Sequence, residues 1–223
     1  MKNIILLIIA LTMCVGALFA QTQFGILPTV GFQAGLNFCN VKQTMEATDE
    51  NDNHFDVDVT TDPKLAFHIG ALMQLPLANN IIIQPELMYS IKGYKTPNNE
   101  YFKGMSYHYV QIPILCKYSV EIPDIKIQPY LGPNVGFLFI AWQETKNKND
   151  FWDWTLEDDY FSYARDYRNS LEIGLSVGAD AVIMNNIMVG LRYELGLTNT
   201  FKKEYGNEKN RVIMLNLGYL IQP

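Results

Sequence analysis

Histidine and cysteine are scarce in this chain, three of each among 223 residues. Metal and nucleophilic sites need such side chains in clusters. His54, His68 and His108 fall in three different segments, and no metal- or cofactor-binding motif is read. Basic residues are outnumbered, with 17 Lys and Arg against 23 Asp and Glu, a formal charge of −6. That balance argues against nucleic acid as a partner. Beyond residue 20 the chain also lacks any apolar run of about 18 residues, so no transmembrane helix is expected. An exported chain without such a helix can still cross a membrane as a closed β-barrel.

The N-terminus points to export. Lys2 is the only charge before Val41, and Ile4 to Phe19 is almost unbroken apolar sequence. Ala20-Gln21 offers a small-residue exit, so residues 1–20 read as a signal peptide and 21–223 as one β-domain. Of the two cysteines beyond the signal, Cys39 is expected just after the first strand and Cys116 late in the fourth. Those places lie too far apart for a disulfide.

What the chain has in abundance is period-two alternation, which puts alternate residues on opposite faces of a strand. Leu171, Ile173, Leu175, Val177, Ala179, Ala181 and Ile183 alternate with Glu172, Gly174, Ser176, Gly178, Asp180 and Val182. Met184-Asn185-Asn186 turns the chain. Ile187, Val189, Leu191, Tyr193, Leu195 and Leu197 then oppose Gly190, Arg192, Glu194 and Gly196. Similar segments run over Val30–Phe38, Lys64–Leu77, Ile81–Lys92, Ser106–Val120, Ile125–Phe139 and Arg211–Ile221. This predicts eight strands, each long enough to cross a bilayer when tilted.

The connections alternate too. Ala78–Asn80, Glu121–Asp124 and Met184–Asn186 are short. Cys39–Pro63, Gly93–Met105, Ile140–Asn169 and Thr198–Asn210 are long, polar and mostly acidic. Short periplasmic turns and long outer loops characterise outer-membrane barrels. The competing reading is a soluble periplasmic barrel that binds a small ligand, with the apolar parity turned inward. Glycine decides between them. Gly31, Gly35, Gly70, Gly132, Gly136, Gly174, Gly178, Gly190, Gly196 and Gly218 all fall on the polar parity. Glycine is a poor strand former and gains nothing from facing bulk water. In a narrow lumen it makes room for large neighbours. The expected fold is therefore an all-β, eight-stranded antiparallel up-and-down transmembrane barrel. Pro85, Pro113, Pro129 and Pro133 sit inside its strands and must lie at bulges or where the ladder lapses.

An eight-stranded barrel has an interior that side chains just fill. By parity the lumen holds Lys64, His68, Glu86, Lys92, Lys117, Lys126, Glu172, Asp180, Arg192 and Glu194, a nearly balanced set of charges expected to neutralise one another. An ion path would need a continuous wet channel that eight strands rarely leave. Gly174-Leu175-Ser176-Val177-Gly178 matches the nucleophile-elbow pattern, but it lies mid-strand and no histidine follows it. His108 beside Ser106 keeps a rim-sited enzyme acting on lipid open as an alternative. Asp49-Glu50-Asn51-Asp52-Asn53 opens like a calcium loop. His54 replaces the required glycine and Thr60 the glutamate, so the motif fails. The third long loop carries Trp142, Phe151, Trp152, Trp154, Tyr160, Phe161, Tyr163 and Tyr167. Trp142 fits an interfacial aromatic girdle. Trp152, Trp154, Tyr160 and Tyr163 form either a loop mini-core or a surface for a partner or glycan.

Several strand sequences also resemble a known family. Gly35-Leu36-Asn37-Phe38, Tyr109-Val110-Gln111-Ile112-Pro113-Ile114-Leu115, Gln128-Pro129-Tyr130-Leu131-Gly132-Pro133-Asn134 and Gly190-Leu191-Arg192-Tyr193-Glu194-Leu195-Gly196-Leu197 are similar in wording, order and spacing to the PorT-like outer-membrane β-barrels. The resemblance implies an eight-stranded barrel in a bacterial outer membrane and supplies a precedent for in-strand prolines. The family's namesake is linked to protein secretion. The reading is thus a non-enzymatic outer-membrane barrel with a packed polar lumen. Its role is structural or interaction-based, carried by external loops and accessory to secretion or surface adhesion. Its expected surroundings are outer-membrane lipid and lipopolysaccharide, with a protein partner at the loops.

Overall fold

The computed structural model describes residues 27–48, 54–78, 80–97, 102–145, 168–202 and 207–222. They form ten strands: β1 (Thr29–Thr48), β2 (His54–Val59), β3 (Lys64–Ala78), β4 (Ile81–Lys95), β5 (Phe102–Tyr118), β6 (Val120–Ile122), β7 (Ile125–Thr145), β8 (Leu171–Ile183), β9 (Ile187–Gly196) and β10 (Asn207–Ile221). Eight of these close a barrel in the order β1-β3-β4-β5-β7-β8-β9-β10, every pairing antiparallel. Closure is made by β1 against β10, from Val30↔Ile221 to Thr44↔Asn207. The short β2 and β6 are accessories that pair only β1 and β7 respectively.

The alternation of residue type becomes alternation of environment. Along β10 every second residue from Asn207 to Ile221 is exposed and every one between is buried. From Ile213 to Ile221 the exposed set is apolar, with Leu217 at 62% and Phe32 of β1 also at 62%, while Asn37, Gln84 and Gln111 are fully buried. A soluble protein folded this way would be inside out. In a bilayer the outward parity meets acyl chains and the inward parity forms the core. The glycines stand on the inward parity against large neighbours. A Cβ on Gly178 would lie 2.6 Å from the Tyr130 hydroxyl, and one on Gly218 would lie 2.8 Å from Met188 Cε.

At the β8–β9 turn Met184 and Asn185 both take positive φ, 50° and 61°. That pair of left-handed residues suits a tight hairpin whose twist matches its strands.

Three sequence expectations need correction. First, strands run further outward than the alternation showed. β1 continues to Thr48 and returns as β2, β4 reaches Lys95, β5 begins at Phe102, β7 extends to Thr145 and β10 begins at Asn207. In β10 the extension is polar on both faces, with Asn207 and Lys209 exposed and Glu208 and Asn210 buried. Second, Cys39 lies within β1 and is buried, Cys116 is exposed, and both are free. The four in-strand prolines lie where the ladder lapses, as expected: Pro85 between Leu72↔Glu86 and Leu75↔Ile83, Pro113 between Pro85↔Ile114 and Met88↔Gln111, Pro133 between Pro113↔Asn134 and Cys116↔Leu131, and Pro129 between Lys117↔Tyr130 and Val120↔Ile127. Register shifts lie between Pro76 and Ala78, Phe102 and Gly104, and His108 and Tyr109. Third, Leu75 is on the outward parity but buried. It stands next to the first of these shifts, where the strand loses its regular pleat.

Candidate functional site

The polar parity converges on the lumen in stacked layers. Nearest the periplasmic turns, Gln74 Nε2 donates to Gln84 Oε1 at 2.9 Å and to Gln128 Oε1 at 3.2 Å. Next come two ion pairs. Lys117 pairs with Asp180, and its ammonium lies 5.0 Å from the Tyr130 ring centre. Arg192 grips Glu86 through both terminal nitrogens at 2.8 and 2.7 Å. Gln33 and Gln84 add amide donors to the same carboxylate at 2.8 and 2.6 Å. Above these, Lys92 bridges Glu172 at 2.9 Å and Glu194 at 3.3 Å. Asn210 and Gln111 donate to those two carboxylates at 2.6 and 3.2 Å.

These groups come from distant parts of the chain. Arg192 of β9 and Glu86 of β4 are 106 residues apart. Their side chains are completely buried. A charge removed from water costs several kcal/mol unless it is paired and its remaining sites are hydrogen-bonded. Here most of those sites are filled. Three cations, Lys92, Lys117 and Arg192, face four carboxylates, Glu86, Glu172, Asp180 and Glu194.

The other lumen candidates are placed differently. His68 Nδ1 lies 2.7 Å from Asn37 Oδ1, an amide contact and not an ion pair. Lys64 Nζ donates to Ser106 Oγ and to the Met105 carbonyl. Lys126 pairs with Glu121 at 3.1 Å, with side chains 38% and 70% exposed, at the periplasmic rim. Period-two counting cannot see where a strand leaves the membrane, so it carried Lys126 inward. Ser176 is buried mid-strand with Oγ 3.5 Å from Glu194 Oε1. Ser106 and His108 serve separate partners: Ser106 meets Lys64, while His108 Nδ1 lies 2.6 Å from the Tyr89 hydroxyl on the outer face. Trp152, Trp154, Tyr160 and Tyr163, like Asp49–Asn53, lie outside the described residues, as does the side chain of Trp142.

Sequence reading missed one cluster, at the outer mouth. Arg168 is 5% exposed and donates to Glu208 Oε1 at 2.6 Å. Its guanidinium stacks between Tyr107 and Phe201, 4.2 and 4.4 Å from their ring centres. Thr200 Oγ1 adds a 2.7 Å bond to the same Glu208 oxygen. Burial opposes the charge of Arg168, but Tyr107 and Glu208 outweigh it and hold the guanidinium above its ordinary pKa. Arg168 stands outside any alternating stretch, so periodicity gave no sign of it. The cluster fastens the chain entering β8 and the chain leaving β9 over the lumen. Arg168→Ala leaves Glu208 short of a buried charged partner and is expected to cost about 1–3 kcal/mol. Limited proteolysis of intact cells should then cut between Thr145 and Arg168 faster than in the parent; an unchanged rate would refute the fastening role.

The model of the outer membrane protein beta-barrel domain family matches residues 19–202. Among solved structures, the chain is similar to Neisserial surface protein A, with 12% identity, 85% of this chain and 96% of that chain covered, and a TM-score of 0.49. It is similar to OprG from Pseudomonas aeruginosa, with 9% identity, coverage of 89% and 98%, and a TM-score of 0.47. It is also similar to Ail, the attachment invasion locus protein of Yersinia pestis, with 12% identity, coverage of 86% and 98%, and a TM-score of 0.41. No curated protein matches the chain.

Proposed function

Because the chain belongs to the outer membrane protein beta-barrel domain family, and so to the bacterial outer membrane, we propose that it is a non-conducting, non-enzymatic barrel whose work is done outside the membrane. On this reading residues 1–20 are a signal peptide, and residues 21–223 form the barrel after its removal. The observation that carries the proposal is the ion-paired lumen. Arg192, Lys92, Lys117, Tyr107 and Tyr109 are each under 2% exposed and stand across the interior at successive heights. A solute would have to break several buried ion pairs in turn, each break leaving an uncompensated charge. The lumen charges therefore act as a plug and as register pins, since each joins strands that are far apart in sequence.

A blocked barrel meets its surroundings through what projects from it. The β1–β2 hairpin and the outer ends of β5, β7 and β10 form the base from which the long loops extend. The loop aromatics Trp152, Trp154, Tyr160 and Tyr163 supply large contact surfaces of the kind that dominate protein interfaces. The proposal places a protein partner there, with outer-membrane lipid and lipopolysaccharide around the wall. Accessory service to secretion, as the PorT-like resemblance implies, or adhesion are the two forms this takes.

Planar-bilayer recording tests the plug. The purified barrel should show no steady conductance in molar salt, and removing the loop between Thr145 and Arg168 should leave it silent. Stable open-channel steps in the parent would overturn the reading.

A further inference from the structure

The outer face of the β1–β10 seam changes character at one height. From the periplasmic end its register pairs are Val30↔Ile221, Phe32↔Tyr219, Ala34↔Leu217, Leu36↔Leu215 and Phe38↔Ile213, every one apolar or aromatic. The next two pairs on that face are Asn40↔Arg211 and Lys42↔Lys209. Lys42, Lys209 and Arg211 are exposed. Two lysines thus stand directly opposite each other in a ladder, with Cβ atoms about 5 Å apart, and Arg211 lies on the diagonal from Lys42. Like charges so placed destabilise a sheet. The chain is acidic overall, with a formal charge of −6, so this patch runs against its composition.

Among the described residues none of the three cations has an ion pair. Asp58 shares the face through its register with Thr44, and its carboxylate accepts from Thr44 Oγ1 at 3.1 Å. Glu208, between Asn207 and Lys209, is turned inward to Arg168. Asn40 adds a donor to the patch. Its Oδ1 accepts from Thr61 Oγ1 at 2.5 Å and from the Val41 amide at 2.8 Å, which leaves the amide nitrogen as its open end.

The height of the patch points to its ligand. At about 3.4 Å per residue and a strand tilt of about 40°, Arg211 stands about 5 Å and Lys209 about 10 Å above Ile213, the last apolar residue of the belt. Those heights span the polar headgroup layer. We propose that Asn40, Lys42, Lys209 and Arg211 form a wall site for a phosphate of lipopolysaccharide, the phosphorylated glycolipid of the outer leaflet. A phosphate monoester carries about −1.5 to −2 charges near neutral pH, enough to offset both opposed lysines. The phosphodiester of a zwitterionic phospholipid carries a single charge and brings its own cation. The acyl chains lie below, on the exposed Phe38, Ile213 and Leu215. The site rests on the outer-membrane reading given above and names where on the wall that lipid is held.

Urea unfolding of the purified barrel from vesicles reads the site as a change of sign. In phosphatidylcholine alone, Lys209→Gln removes an opposed charge and should raise the unfolding midpoint. With bisphosphorylated lipid A in the vesicles, the same variant loses a phosphate contact and should unfold at a lower midpoint than the parent. Native mass spectrometry measures binding directly. Lys42→Gln with Lys209→Gln should weaken lipid A binding about 25-fold, from about fivefold per cation. Lys95→Gln with Lys103→Gln removes the same charge from exposed positions of β4 and β5 and should leave binding near the parent value. Dephosphorylated lipid A and phosphatidylglycerol should bind parent and variants alike. An effect of Lys209→Gln with one sign in both vesicles, equal weakening by the two double variants, or the same loss with phosphatidylglycerol would overturn the proposal. A barrel that enters vesicles, with heat-dependent gel mobility, but is indifferent to lipid A would overturn the site and leave the outer-membrane reading standing. One that enters no vesicle would overturn both.

Discussion

Arg192→Leu is expected to lower the barrel's unfolding free energy by about 3–5 kcal/mol, the usual cost of leaving a buried charge without its partner. Arg192 makes two short bonds to Glu86, and a third contact of 3.7 Å to Glu194. Without it Glu86 keeps Gln33 and Gln84 but loses its counter-charge. The companion variant separates attraction from desolvation. Adding Glu86→Met to Arg192→Leu removes the stranded carboxylate and should recover most of the loss, because a buried pair and an apolar replacement of similar volume are often close in energy. Urea unfolding from lipid vesicles, followed by intrinsic fluorescence, measures both. Equal losses in the single and double variants would show that Arg192 acts through packing alone.

Leu217→Arg is expected to cost about 2–4 kcal/mol, the penalty for a cation near the middle of an outer-membrane barrel's lipid face. Leu217 is 62% exposed and lies between the outward-facing Leu215 and Tyr219. On a water-exposed strand the same change would fall within about 0.5 kcal/mol of neutral. Arg211, also on the exposed parity of β10 but nearer its outer end, is a natural cation. A cost at Leu217 therefore reflects depth in the bilayer and not a general intolerance of the strand. The same vesicle unfolding measures it, and a near-zero change would place that parity in water.

Period two made much of this fold legible. β8 is bounded from sequence at Leu171 and Ile183, because its alternation starts at Leu171 and ends at a turn rich in asparagine. The inward glycines were informative for the same reason: a residue with no side chain is conspicuous on a face crowded by Tyr130, Met188 and Asp180. Which lumen charges meet which was not legible. Parity gives a face, while pairing depends on height, and height depends on register and strand tilt. The Arg192–Glu86 contact spans the barrel from β9 to β4, a separation no local pattern encodes. Arg168 was invisible because it belongs to no periodic segment.

Nitroxide scanning along β10 from Ile213 to Tyr219 in lipid vesicles tests most directly whether the apolar parity faces lipid over a closed lumen. Collision with oxygen, which concentrates in the bilayer, should peak at Ile213, Leu215, Leu217 and Tyr219. At Met214, Asn216 and Gly218 both oxygen and a water-soluble nickel chelate should be excluded. Chelate access at Asn216 would contradict the closed lumen, and oxygen maxima on the opposite parity would contradict the barrel's orientation.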